Sequence, residues 1–185
     1  MYKGALIAAL FAGAAHADGL EIVVEGQHTS GTVTIDLLED VAPNHVAQIV
    51  ALAEQGYYNN VYFHRVIDGF MAQTGDGEFG KVEEGQPVSQ RAGTGASEFG
   101  DLDAEFSDIA YERGVVGMAR SNNPNSANSQ FFIMFDEAPF LNGQYTVVGR
   151  VTSGMEIVDD IKRGDASTRQ ITGNADIMVS VTATE

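Results

Sequence analysis

One cation lodged in an apolar strand constrains this chain most. Residues 61–77 read VYFHRVIDGFMAQTGDG. The run begins rich in Val, Tyr, Phe and Ile, the composition of a β-strand. Arg65 stands among these apolar neighbours, Gly69 breaks the run, and Phe70, Met71 and Gln73 follow at close spacing. A half-buried guanidinium is costly without a partner. Its planar fork of donors suits it to grip a carbonyl or an amide. Phe and Met beside it build an apolar wall, and Gln73 is placed to orient the guanidinium or a bound backbone. The expectation is an apolar slot with one aimed cation and one amide, suited to a small apolar group on a peptide bond.

Three ordered segments resemble a known family. The string FHRVIDGFMAQTGD resembles the FHRxIxGFMxQxGD signature of the cyclophilins, the peptidyl-prolyl cis/trans isomerases. Residues 118–133 (MARSNNPNSANSQFFI) resemble the family's MA…NSQFFI segment, and residues 140–151 (FLNGQYTVVGRV) its WLDGxxxxFGxV segment. The resemblance covers roughly residues 20 to 182. It implies a mostly β fold, a closed eight-stranded antiparallel barrel capped by two α-helices. It also implies rotation about X–Pro bonds (rotamase activity) without metal, nucleophile or other cofactor. Carried over position by position, Arg65 resembles the catalytic arginine. Phe70, Met71, Phe132 and Leu141 resemble the wall of the proline pocket. Gln73 resembles the amide that positions the arginine, and Gln130 a second hydrogen-bonding group on the substrate side. Ala119 and Arg120 match the strand whose backbone grips the substrate. Phe140 stands where Trp is frequent and Tyr145 where His is frequent. Both swaps keep the slot apolar, but strong cyclosporin binding in the family goes with that Trp, so weak binding is expected here.

Other classes find little support. A formal net charge of −16 argues against nucleic acid and anionic membranes, which need Lys/Arg clusters. An acidic, solvated surface is the plain reading; a preference for basic client segments is the sharper one. There are no cysteines, so disulfides, thiolate chemistry and Cys-based zinc sites are excluded. Histidines 16, 28, 45 and 64 lack metal-ligand spacing. His64 is expected to be structural, since the reaction moves no proton between heavy atoms, and His45 to face solvent. Gly75–Gly80 matches G-x-G-x-x-G, but the following KVEEGQPVSQRAGTG cannot sustain the helix a dinucleotide site requires, so residues 76–101 read as a surface loop.

Two helices are predicted. Residues 40–55 carry a core stripe at Val46, Ile49, Val50 and Ala53, with Asp40 as cap, Pro43 in the first turn and Gly56 as the stop. Residues 153–163 begin with a capping box, Ser153 and Glu156, and turn Val158 and Ile161 inward. Residues 20–24 and 33–37 should pair as a hairpin, and Ile177, Val179 and Val181 alternate in a closing strand. Residues 104–109 fit a helical turn or a short strand.

The N-terminus reads as a cleavable signal peptide spanning residues 1–17. Lys3 is the positive region, residues 4–14 the apolar one, and Ala15-His16-Ala17 the cleavage pattern before Asp18. The apolar run is too short for a transmembrane anchor. A periplasmic location is expected, secretion being the second choice, with one isomerase domain over residues 18–185, monomeric and off the membrane once the leader is removed. Two functions remain open: an isomerase acting on proline-containing segments of exported proteins, or a proline-peptide-binding chaperone module that has lost turnover. Retention of Arg65, Phe70, Gln73 and Phe132 together favours the first.

Overall fold

The computed structural model describes residues 19–82 and 88–185. The predicted leader and its cleavage site lie outside the described residues. Within them the chain runs β1 (Gly19–Glu25), β2 (Ser30–Leu37), α1 (Pro43–Glu54), β3 (Val61–Tyr62), β4 (Arg65–Ile67), β5 (Met71–Thr74), β6 (Val115–Met118), β7 (Phe131–Met134), a short 3-10 helix (Pro139–Leu141), β8 (Val147–Ser153), α2 (Met155–Asp159) and β9 (Ile177–Thr184). No helix among the described residues is long and apolar enough to cross a membrane.

One curled antiparallel sheet holds all the strands, in the order β3-β9-β1-β2-β8-β6-β7-β5-β4. The predicted hairpin forms β1–β2, with Ile22 opposite Val33. Nine strands replace the expected eight, because the run after residue 60 is split. Its first part pairs with β9 and its second with β5. Phe63 and His64, between the parts, turn from one ladder to the other: the Phe63 N–H donates to Asp176 O and the His64 N–H to Gln73 O. The two ends of the sheet are thus joined by two residues of covalent chain instead of a ladder.

Alternation along the strands sorts side chains to two faces. Val66, Ala72, Ile133 and Val116 point to the interior, where they join Ile22, Ile35, Phe63 and Phe131 in the main core. The next residues along the same strands, Met71, Phe132, Met134 and Val115, form a second cluster on the outer face with Tyr111, Ala138, Leu141 and Val147. Strands β6 and β7 are therefore buried on both sides. The segment carrying the 3-10 helix covers the outer side, and a cleft opens at its margin.

Helix α1 closes one end of the barrel with Val46, Ile49, Leu52 and Ala53 buried, and Val50 partly so. Pro43 occupies the first turn, and Gly56, at φ 67°, follows the C-cap as predicted. The cap itself differs. Ala42 is the N-cap residue and no side chain of its own bonds the first turn, so Asp40 does not cap. Glu105 does so from a distant segment. Its carboxylate accepts from the N–H groups of Asn44 and His45, from Asn44 Nδ2 and, at 2.6 Å, from His45 Nδ1. A carboxylate at a helix N-terminus meets both the unpaired N–H groups and the positive end of the dipole. The same contact corrects the reading of His45, which is fully buried (0 % exposed) and not solvent-facing. Residues 104–109 are neither a helical turn nor a strand; the N–H of Glu105 donates to the Thr146 side chain instead of a helix or ladder carbonyl.

Two further corrections have local causes. Helix α2 is only Met155–Asp159, its N-cap is Gly154 in the left-handed region, and no side-chain cap bond forms, because Ser153 is still the last residue of β8. Val158 and Ile161 do face inward. In β9 the register against β1 shifts between Val23 and Val24, which pair with Ser180 and Met178. Val179 is the extra residue of a β-bulge, so Met178 and Val181 are buried instead of the alternating set 177, 179, 181.

The remote cap carries a stability cost that can be measured. Replacing Glu105 with Ala leaves the two N–H groups and the buried His45 Nδ1 without their acceptor. Stability should fall by about 2–3 kcal/mol, read as a lower urea midpoint at unchanged slope. A change below ~0.5 kcal/mol would mean that water replaces the carboxylate.

Candidate active site

The site is a row of side chains running across the outer face of the sheet. In the β4–β5 ladder Arg65 lies opposite Gln73, and in the β5–β7 ladder Gln73 lies opposite Phe132. Directly paired residues share a face, so cation, amide and aromatic ring stand side by side. One step along, Met71 lies opposite Ile67 and Met134. Arg65 Nη1 reaches Gln73 Oε1 at 3.4 Å and Met71 Sδ at 3.9 Å. Gln73 Nε2 donates to Gln130 Oε1 at 3.0 Å, and Gln130 Nε2 to Gly95 O at 3.0 Å.

These side chains border a cleft of about 680 Å³ lined by Arg65, Phe70, Met71, Gln73, Ala119, Arg120, Phe132, Phe140, Leu141, Gln144 and Tyr145. Every candidate residue from the sequence lies there except Gln130. It lines a smaller adjoining hollow of about 360 Å³ that shares Gln73, Ala119 and Arg120 with the cleft. Gln144 is an addition, which sits between two motif positions and carries no sequence signal of its own.

The floor and walls are aromatic and sulfur-bearing. Phe132 stacks on Tyr111 at 5.8 Å and meets the Tyr145 ring edge-on at 5.9 Å. Phe70 and Phe140 are 5.6 Å apart at the rim, where Phe140 is 69 % exposed. Arg120 lies over the Tyr145 ring at 4.3 Å and donates to Gln144 O and Ser121 O, which ties together the two loops beside the cleft.

Arg65 is half-buried, and among the described residues no carboxylate forms an ion pair with it. Burial therefore lowers its pKa from the ordinary value, with the neighbouring Arg169 adding to the effect and Tyr145 opposing it. The guanidinium remains a cation, but one with neutral anchors and spare donors beside an apolar floor. Such a group stabilises an acceptor brought to it more than any solvated cation would.

Comparison with known proteins gives the family and the fold. The model of the family described as "Cyclophilin type peptidyl-prolyl cis-trans isomerase/CLD" matches residues 21–183. The chain belongs to the cyclophilin-type peptidyl-prolyl cis-trans isomerases. This cyclophilin is 58 % identical over 152 residues to a probable peptidyl-prolyl cis-trans isomerase of Brucella suis, covering 82 % of this chain and 77 % of that one. It is 40 % identical over 131 residues to a peptidyl-prolyl cis-trans isomerase-like 1 of Emericella nidulans (69 % and 74 % covered). Among solved structures it is similar to a Cryptosporidium parvum cyclophilin crystallised in the presence of the dipeptide Ala-Pro. That likeness has a TM-score of 0.73 and 28 % identity over 90 % of this chain and 99 % of that one.

His64, next to the cyclophilin's Arg65, is 1 % exposed, and neither ring nitrogen has a hydrogen-bond partner among the described residues. Burial pushes its pKa down to about 4, against the opposing pull of Asp76. The ring is neutral at working pH, in keeping with a structural role. No group of three or more potential metal ligands occurs among the described residues.

The depressed His64 pKa has a pH signature. Above pH 6.5 the ring is neutral in both folded and unfolded chains, so its contribution is fully present there. Between 6.5 and about 4 the unfolded chain takes up a proton that the folded one refuses, and stability falls by up to ~3 kcal/mol. The carboxylates held low, Glu105, Asp159 and Asp165, start to lose their contributions only below the ordinary values of 4.5 and 3.8. Urea titrations of wild type and His64→Gln from pH 7 to 4.5 should diverge, with the variant flatter. Parallel curves would show that His64 protonates freely in the folded state.

Proposed function

We propose that this cyclophilin accelerates X–Pro rotation in exported proteins, assisting their folding, through a hydrogen bond from Arg65 to the twisted prolyl amide. The observation that carries the reading is a half-buried guanidinium anchored, among the described residues, by Gln73 and Met71 alone, beside an apolar floor.

Amide resonance sets a barrier of ~18–20 kcal/mol to rotation. At the twisted state conjugation is lost and the prolyl nitrogen becomes pyramidal and able to accept a hydrogen bond. The proline ring sits against Phe70, Met71, Phe132 and Leu141. Ala119 and Arg120 present backbone to the substrate chain, with Gln130 hydrogen-bonding beside them, and Phe140 and Tyr145 enclose the slot. Arg65 donates to the nitrogen as it pyramidalises. The bond is stronger at the twisted state than at either planar one, which is catalysis by differential binding. No proton is transferred and no cofactor takes part.

Substrates are proline-containing segments of polypeptides passing through the periplasm, with secretion as the second location. The apolar leader and its Ala-x-Ala pattern support export, the mature monomer starting at Asp18. A protease-coupled assay of the mature chain on an X–Pro peptide tests turnover directly. Catalysis supports the isomerase, and binding without catalysis supports the chaperone module.

Arg65→Ala should cost roughly 10²–10³ in kcat/KM with the fold intact, the usual loss when one preorganised donor is deleted. Arg65→Lys should also be poor, because an ammonium lacks the fork that reaches Gln73 and the substrate together. Full activity in the purified Ala variant would exclude Arg65 as the catalytic cation.

Cyclosporin should bind weakly. Phe140 keeps most of the apolar area of a Trp but has no N–H to donate. Phe140→Trp restores a hydrogen bond worth ~0.5–1.5 kcal/mol plus contact area, so the inhibitor should tighten by about tenfold or more, with far less change in kcat/KM. Equal inhibition of both forms would mean that Phe140 does not contact the inhibitor.

A further inference from the structure

We propose that Asp76 is a positioning residue for Arg65, acting through a directional relay of the Gly95 carbonyl, Gln130 and Gln73. The inference rests on Arg65 being the catalytic cation. Asp76 is completely buried (0 % exposed). Its Oδ1 accepts from the N–H groups of Glu78 and Phe79 at 3.1 and 2.9 Å, and its Oδ2 from Gly93 and Gly95 at 2.7 and 2.9 Å. The first pair is the local turn after β5. The second belongs to a loop segment about twenty residues further on, itself neither strand nor helix, whose next two N–H groups, Ala96 and Ser97, donate to Glu78 and Asn128. The carboxylate pins that segment to the barrel.

The glycines of the Gly93-Thr94-Gly95 run find their purpose here. Gly93 has φ 91°, a left-handed conformation that other residues rarely adopt. A Cβ on Gly95 would lie 2.2 Å from Asp76 Oδ1. The backbone must be bare at this point for its N–H groups to converge on the carboxylate.

What the pinned turn presents to the site is the carbonyl of Gly95, and a carbonyl only accepts. At the other end stands Arg65, which only donates. Two glutamine amides lie between them. With an obligatory acceptor at one end and an obligatory donor at the other, the pair aligns one way: Gln130 Nε2 to Gly95 O, Gln73 Nε2 to Gln130 Oε1, Arg65 Nη1 to Gln73 Oε1. Without the fixed carbonyl, Gln130 is free to turn over, Gln73 follows, and an NH₂ group then faces the guanidinium. Arg65 loses its anchor and its aim, although nothing in the proline pocket has changed. Asp76 forms no hydrogen bond or ion pair with Arg65 among the described residues, and the relay is the chain of contacts that joins them.

The test is a double-mutant cycle read by kcat/KM, with peptide Kd and melting temperature measured alongside. Asp76→Asn presents an amide where two oxygens received four donors. It should lower kcat/KM by roughly tenfold in the wild-type background and by less than about twofold in Arg65→Ala, with any weakening of the peptide Kd through Gln130 below about twofold and equal in the two backgrounds. Gly95→Ala breaks the same contact from the loop side, where the chain can shift outward if the buried substitution fails to fold, and should give the same pattern. Equal losses in both backgrounds would make Asp76 and Gly95 structural only and overturn the relay. A folded Asp76→Asn at full activity would do the same. If Arg65→Ala itself costs nothing, the catalytic reading fails, and the relay with it; the cycle thus separates the two failures.

Discussion

A cation taken half out of water, with no counter-ion among the described residues, is the constraint on which the rest of this structure depends. The guanidinium of Arg65 would be quenched by a carboxylate within ion-pairing distance, since an ion pair would hold it on its own side chain partner instead of on a substrate. In a chain with a net charge of −16 that is a demanding exclusion. The fold meets it by giving Arg65 a neutral amide and a thioether as anchors and by surrounding it with aromatic rings. Neutral anchors orient the fork without neutralising it, so in the proposed mechanism its remaining donors keep their strength for a twisted amide.

The curled sheet makes this arrangement possible by giving β6 and β7 two buried faces, with β5 and β4 continuing the outer one. The inner face is ordinary core. The outer face holds a second, smaller apolar cluster, and Arg65, Gln73 and Phe132 stand in one cross-strand row over it. Placement on rigid strands fixes the row by ladder geometry, whereas the loops supply the adaptable margin: Phe140 from the 3-10 helix, and Arg120 and Tyr145 clasping two loops together. Remote carboxylates then secure the irregular segments, Glu105 at the start of α1 and Asp76 at the turn behind Gln130. The acidic excess is therefore not all surface, since these two carboxylates hold the loops in shape.

What the sequence made legible follows the range of the interactions involved. The slot of Arg65, Phe70, Met71 and Gln73 falls within a few residues of chain, so strand alternation brings it together without long-range help. The core stripe of α1, Pro43 at its start and Gly56 at its end are equally local. Asp40 and Ser153 looked like caps because cap preferences are statistical and local. The real partner of α1 is Glu105, about sixty residues away, and Ser153 is held in a strand by β2. His45 was misread for the same reason, since a helical wheel does not show a carboxylate arriving from another segment. The phase of β9 was lost to a bulge that arises only from its register against β1. The described parts of the Gly-rich run after Thr74 form a loop, as its composition implies, residues 83–87 lying outside the described residues, but its purpose requires seeing which N–H groups meet Asp76.

The central claim is that Arg65 acts on the twisted amide and hardly on the bound planar ones. Two-dimensional exchange NMR on an Ala-Pro-containing peptide, with wild type and with Arg65→Ala, measures both quantities in one sample. The peptide Kd should change by less than about threefold while the on-enzyme cis/trans exchange rate falls by about 10². A weakened Kd that accounts for the whole loss, with on-enzyme exchange as fast as in wild type, would contradict it and make Arg65 a ground-state binding residue.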